Sequence, residues 1–216
     1  SSYSKDLKQT IRLALTAGKR TGNPKINDET TRLALFTMLY SRDSTLLFLR
    51  AAVASEQGNP ALLEQAGAYL QGGTSGLIAG DLFAKGSIDV YRYAQMQPTF
   101  AMSDTSIGSP WDQLYSTLVA SWPLPKAPPE YLHAATDPTP TLIVNGDLDV
   151  STPLTFIERE LMPFLPNGQL VVLKDYGHSD FIRQEAAIGR MTAGFLNGGT
   201  VNRSLVAPDP YVLPKP

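Results

Sequence analysis

Residues 140–180 read PTLIVNGDLDVSTPLTFIERELMPFLPNGQLVVLKDYGHSD, and this stretch decides the fold. Thr141 to Val144 and Gln169 to Leu173 have the length and β-branched bias of buried strands. The first runs into the acidic turn Gly146-Asp147-Leu148-Asp149, the second into Gly177-His178. Between them, Ser151-Thr152-Pro153 reads as a helix start, with a hydroxyl to cap and a proline suited to the first helical position. Strand, acid, helix, strand, histidine is a βαβ unit with ionisable groups where both strands end. In open α/β sheets, ligands and chemistry gather at the carboxyl ends of the strands.

Working outward, the preceding region is helical. Leu7, Ile11, Ala14 and Leu15 follow one-sided helical spacing within Lys5 to Lys19, before Gly18, Gly22 and Pro24 interrupt it. A second helix is predicted from Asp28 to Tyr40 with Leu33, Phe36 and Tyr40 on one stripe. A third is predicted behind a Ser44 cap, with Leu46, Leu49 and Val53 inward, and a fourth from Asn59-Pro60 to Gly72-Gly73. Further helices are predicted over Ile88 to Met96 and Trp111 to Trp122. Prolines 123, 125, 128, 129, 138 and 140 then exclude helix and central strand, marking a linker over residues 123–139. After His178, a last helix is predicted from Phe181 to Leu196, stopped by Gly198-Gly199. The proline-bearing tail 200–216 reads as extended, either packed on a neighbour or loose. The expected organisation is therefore a helical cap region over 1–122, the linker, an α/β portion over 140–199 and the tail.

The totals restrict function. With 43% hydrophobic and 18% charged residues over 216 positions, the chain is a globular protein able to bury a core. A net charge of −2 gives no electrostatic case for nucleic acid, and no apolar run is long enough to span a membrane. Without cysteine there is no disulfide or thiolate metal site within the chain. With only His133 and His178, a multi-histidine metal centre is not expected either. Neither a metal nor an organic cofactor is called for. The chain opens at Ser1 without methionine or signal peptide, which is compatible with a processed or excised piece.

Taken singly, Asp149 is an ordinary turn or capping aspartate, and His178 an ordinary loop histidine. Their pairing changes the weight. An acid after one strand and a histidine after the next meet if the strands are neighbours. A carboxylate that holds an imidazole fixes its tautomer and stabilises the positive charge it acquires. Asp147 fits the acid role as well by position. Asp180 reads as a cap for the following helix in preference to a support for His178. The aromatics Trp111, Tyr115 and Trp122, like Tyr91, Tyr93 and Met96, have spacing that favours core packing over lining a substrate pocket. No substrate-binding residue is assigned.

Pro140 to Gly146, Leu148-Asp149, Thr152-Pro153, Leu165-Pro166-Asn167, Leu170 to Leu173 and Gly177-His178 together resemble the C-terminal end of an α/β-hydrolase. They are most similar to the bacterial hydrolases and peptidases related to tripeptidyl aminopeptidase. Ala120-Ser121-Trp122-Pro123 is also similar to that group, which often carries a nearby cysteine that this chain lacks. The resemblance covers roughly Trp122 to Leu196. It implies Asp149 as the acid, His178 as the base, a lid in the helical region, and a secreted or extracytoplasmic setting.

The chain departs from the family in one large respect. The nucleophile of this fold lies on a G-x-S-x-G elbow ahead of the acid and histidine. No such motif occurs here, and Gly73-Thr74-Ser75-Gly76 lacks both a second glycine at the right spacing and a preceding strand. By chain order, the nucleophile and oxyanion donors are expected in an N-terminal part of the same hydrolase, either a separate chain or a missing segment. The expected function is ester, amide or peptide hydrolysis, with the isolated chain inactive. An aspartate nucleophile is the variant within the enzyme class. A non-catalytic binding module derived from a hydrolase is the alternative outside it.

Overall fold

In the computed structural model, which describes residues 6–73, 80, 128–131, 133–198 and 201–210, the two apolar runs are strands β1 (Thr141–Gly146) and β2 (Gly168–Leu173). They pair in parallel, with Thr141 level with Gly168 and Gly146 level with Leu173. Both strands therefore end at the same height, and the acidic turn and the histidine loop leave the sheet side by side. The fold is α/β, with helices and a small parallel sheet.

The described residues divide into two compact units. One comprises residues 39–45 with the described residues from Pro129 onward. Its core lies on one face of the sheet, where Val171, Leu173, Tyr176 and Met191 are buried and Leu142, Val144, Phe181 and Ile188 pack around them. Met191 and Ile188 belong to α7 (Glu185–Leu196). A 3-10 turn, Asp180–Gln184, occupies the start of the helix predicted from Phe181. The described part of the tail joins this layer through Val201, Leu205 and Val206. Gln184 fastens it by donating to the Ala207 carbonyl at 2.6 Å and accepting from the Ala207 N–H at 3.0 Å.

The other face of the sheet is thinly covered among the described residues. The crossover helix α6 opens as one α-turn (Leu154–Phe156), passes into a π-turn (Ile157–Leu161) and closes as a 3-10 turn (Met162–Phe164). Pro163 has no N–H to give Arg159, and the Met162 N–H reaches back to Ile157. No residue of α6 is buried, and Phe156 and Leu161 are 50% and 40% exposed. The helix also starts later than its sequence signal suggests. Pro153 is the N-cap, with extended ψ and no side-chain capping bond. Thr152 precedes a proline and is disfavoured in the helical region, so its hydroxyl serves the turn instead.

The other unit, residues 6–38 and 46–73, is helical. It holds α1 (Leu7–Leu15), α2 (Ala17–Thr21), α3 (Asp28–Met38), α4 (Arg42–Glu56) from Leu46 onward, and α5 (Ala61–Gly73). Its core includes Leu15, Leu35, Phe48, Ala51 and Leu63. The predicted stripe is rotated in α3 and only partly matched in α4. In α3 the buried side is Thr31, Ala34, Leu35 and Met38, and Tyr40 lies beyond the helix. In α4 Leu46 is buried as expected and shares the buried side with Phe48, Ala51 and Ala52, while Leu49 and Val53 are half-buried. Ser41 caps α4 in place of Ser44, its hydroxyl accepting the Ser44 N–H at 3.2 Å.

The segments Ile88 to Met96, Trp111 to Trp122 and Thr74 to Gly76, with their aromatics, lie outside the described residues. No helix among the described residues is long and apolar enough to cross a membrane.

Candidate active site

Gly146 sets how closely the two loops approach. A Cβ there would stand 2.0 Å from the Tyr176 carbonyl oxygen, so only glycine lets the strand end pass the histidine loop. The Asp147 N–H then donates to the Leu173 carbonyl at 3.1 Å, and the Leu148 N–H to the Tyr176 carbonyl at 2.9 Å. Backbone bonds thus hold the acidic turn against the loop that carries His178.

Within that frame Asp149 is buried, at 5% exposure, and both of its oxygens are committed. Oδ1 accepts the N–H groups of Ser151 and Thr152, each at 2.8 Å. Oδ2 accepts the Thr152 hydroxyl at 2.8 Å and faces His178 Nδ1 at 2.9 Å. Burial is the strongest single influence on this carboxyl and opposes its ionisation. The Thr152 N–H, the His178 bond, the Thr152 hydroxyl and the His178 charge together outweigh it, so the pKa lies below the usual value. An ionised Oδ2 against Nδ1 assigns the ring proton to Nδ1 and leaves the lone pair on Nε2. The His178 side chain is 39% exposed, so a reacting group can reach it. Asn145, buried on β1, donates to the Thr152 carbonyl at 2.9 Å and secures the residue that secures Asp149.

The structure brings Asp149 to His178 and sends Asp147 elsewhere. Asp147 accepts the Asp175 N–H at 2.6 Å and Lys174 Nζ at 3.1 Å, bracing the turn after β2 where Asp175 adopts φ 62°. Asp180 does not cap the following turn through its side chain, whose N-cap is Ser179. Its buried Oδ2 instead accepts the Gly177 N–H at 2.7 Å and the Arg42 N–H at 3.1 Å, fixing the residue before His178. His133 is exposed.

The stretch Leu39–Thr45 was missed as part of the site. Tyr40 stands edge-on to His178, with ring centroids 5.1 Å apart at 81°. Arg42 is buried across the Tyr176 ring at 5.4 Å and donates to the carbonyls of Asp175 and Asp209 at 3.1 and 2.7 Å. It also pairs with the Asp209 carboxylate. Helical periodicity conceals such a segment, because a tyrosine four residues after an apolar residue looks like one more core position. The Ser41 capping signal, read in place of Ser44, would have put the α3–α4 turn at Tyr40.

Comparison with known proteins gives the class first: an α/β-hydrolase family matches residues 107–207. Its model is described as TAP-like protein, and the match supports a C-terminal part of a TAP-like α/β-hydrolase. The matched stretch contains both strands, Asp149, His178 and α7. The family implies a function of the hydrolase type. No curated protein and no solved structure matches the chain.

Proposed function

We propose that this chain supplies the orienting acid and the general base of a serine α/β-hydrolase that cleaves an ester or amide, peptide bonds included. The observation that carries the reading is the 2.9 Å contact between buried Asp149 Oδ2 and His178 Nδ1, where two parallel strands end. His178 Nε2 takes the proton of an attacking serine hydroxyl as its oxygen bonds to the substrate carbonyl. It then gives that proton to the departing alcohol or amine. Asp149 keeps the ring in the productive tautomer and offsets the imidazolium charge during the step.

The serine and the oxyanion donors come from another polypeptide segment, since these 216 residues hold no G-x-S-x-G elbow. That segment also extends the sheet. Two strands alone make a marginal sheet, and half-exposed Phe156, Leu161 and Val172 (42%) belong to a layer awaiting cover. In this reading the helical region before Trp122 is the lid, and the chain by itself does not turn over substrate.

A serine-reactive fluorophosphonate tests the proposal. Applied to the protein purified from its natural source, the label is expected on a serine in a polypeptide that copurifies with, or is continuous with, this chain. If nothing labels and no such polypeptide accompanies it, the non-catalytic binding module is the better account.

A further inference from the structure

We infer that Tyr40 is a positioning residue that holds both members of the Asp149–His178 pair at once; this rests on the acid–base reading of that pair. Three different parts of the tyrosine are used. Its ring meets the His178 imidazole edge-on at 5.1 Å. Its phenolic oxygen accepts the Ser151 hydroxyl at 3.1 Å, and the Ser151 N–H is one of the two donors on Asp149 Oδ1. Its carbonyl accepts the Ser179 N–H at 2.8 Å, immediately after His178.

The neighbouring residues are shaped for this approach. A Cβ on Gly177 would lie 2.8 Å from the Tyr40 carbonyl oxygen, so glycine before the histidine lets the loop close on Tyr40. Asp180 Oδ2 accepts both the Gly177 and the Arg42 N–H groups and ties the tyrosine's own segment to the histidine loop. Asp149 alone fixes only one ring nitrogen, leaving the imidazole able to swing about that bond. The tyrosine ring blocks the swing and keeps Nε2 aimed in one direction. Misplacement of a catalytic group by about 1 Å costs on the order of 100-fold in rate, so such a restraint has a measurable effect.

The tautomer of His178, read from side-chain ¹⁵N shifts on the full 216-residue chain, tests this without requiring activity. His133, the only other histidine, serves as the exposed reference. Wild type is expected to show the Nδ1–H tautomer, with a nuclear Overhauser contact between the two rings. Tyr40→Leu is expected to lower the Nδ1–H population about twofold or more, and Tyr40→Phe, which keeps the ring against His178 but gives up the phenolic acceptor of Ser151, to fall between Tyr40→Leu and wild type. Ile188→Ala, a packing change in the α7 layer, is expected to lower stability and leave the tautomer unmoved. The inference is overturned if Tyr40→Leu matches wild type, if Ile188→Ala loses the tautomer equally, or if wild type lacks the ring contact. An unmoved tautomer in Asp149→Asn would overturn the acid–base pairing itself, and this inference with it. In the active hydrolase, Tyr40→Leu is expected to lower kcat about tenfold to 100-fold with KM little changed.

Discussion

Asp149 satisfies its carboxylate with four donors, and Thr152 alone provides two of them, its N–H to Oδ1 and its hydroxyl to Oδ2. The lowered pKa of this carboxyl has a definite consequence for pH dependence. A group whose folded pKa is depressed contributes stability that is fully present above its unfolded value. That contribution is lost as pH falls through the lower, folded value. Asp149 should therefore contribute constant stability near neutrality and lose it only in acid, below the ordinary aspartate value of 3.8. Carboxyl ¹³C shifts followed against pH check this, and a midpoint above 3.8 would contradict it. Thr152→Val removes one donor and should raise that midpoint, while Thr152→Ser should restore it. Position alone left Asp147 and Asp149 both open in the sequence, and only the resemblance, through Thr152-Pro153, pointed to Asp149. Both sit in one turn, and what separates them is Asp175 at positive φ, whose N–H draws Asp147 away. The role of Asp180 was hidden, because its partner Arg42 is distant in sequence.

Among the elements, β1 and β2 were legible because continuous apolar runs of β-branched residues bounded by turn residues have few other solutions. Their in-step register was not, and it is the register that brings the acid and histidine together. Gly146 is its most sensitive point. Gly146→Ala forces a methyl against the Tyr176 backbone and is expected to destabilise the unit by about 3 kcal/mol. Denaturant unfolding gives the magnitude, and the His178 tautomer should be lost under conditions where the chain is still folded. An unchanged stability and tautomer would contradict the close approach. Helix α7 presents a simpler case. Met191, 1% exposed, fills the core against β2 and Tyr176, so Met191→Ala should cost about 3 kcal/mol by the cavity it leaves. The helix stripes of α3 and α4 were misread for a common reason. Leu33 to Phe36 in α3 and Leu46 to Leu49 in α4 each surround the helix with apolar side chains, and periodicity then cannot select a face.

At the scale of the whole molecule, the chain is an α/β protein whose segment 107–207 matches the TAP-like family. The family resemblance was legible because acid, Thr-Pro, second strand and Gly-His recur in order within one short stretch. The inclusion of residues 39–45 in the α/β unit was not, since no local signal distinguishes a turn that joins another unit from an ordinary connection. The proposed hydrolase also requires a sheet larger than two strands. Amide exchange along β1 should slow when the nucleophile-bearing segment is present, and equal exchange with and without it would contradict the shared sheet. The acid–base claim itself is tested most directly by turnover of an ester or peptide substrate in the complete hydrolase, comparing wild type with Asp149→Asn. A fall in kcat of about 10⁴-fold with folding retained is expected; near-wild-type turnover in Asp149→Asn would contradict the acid–base role.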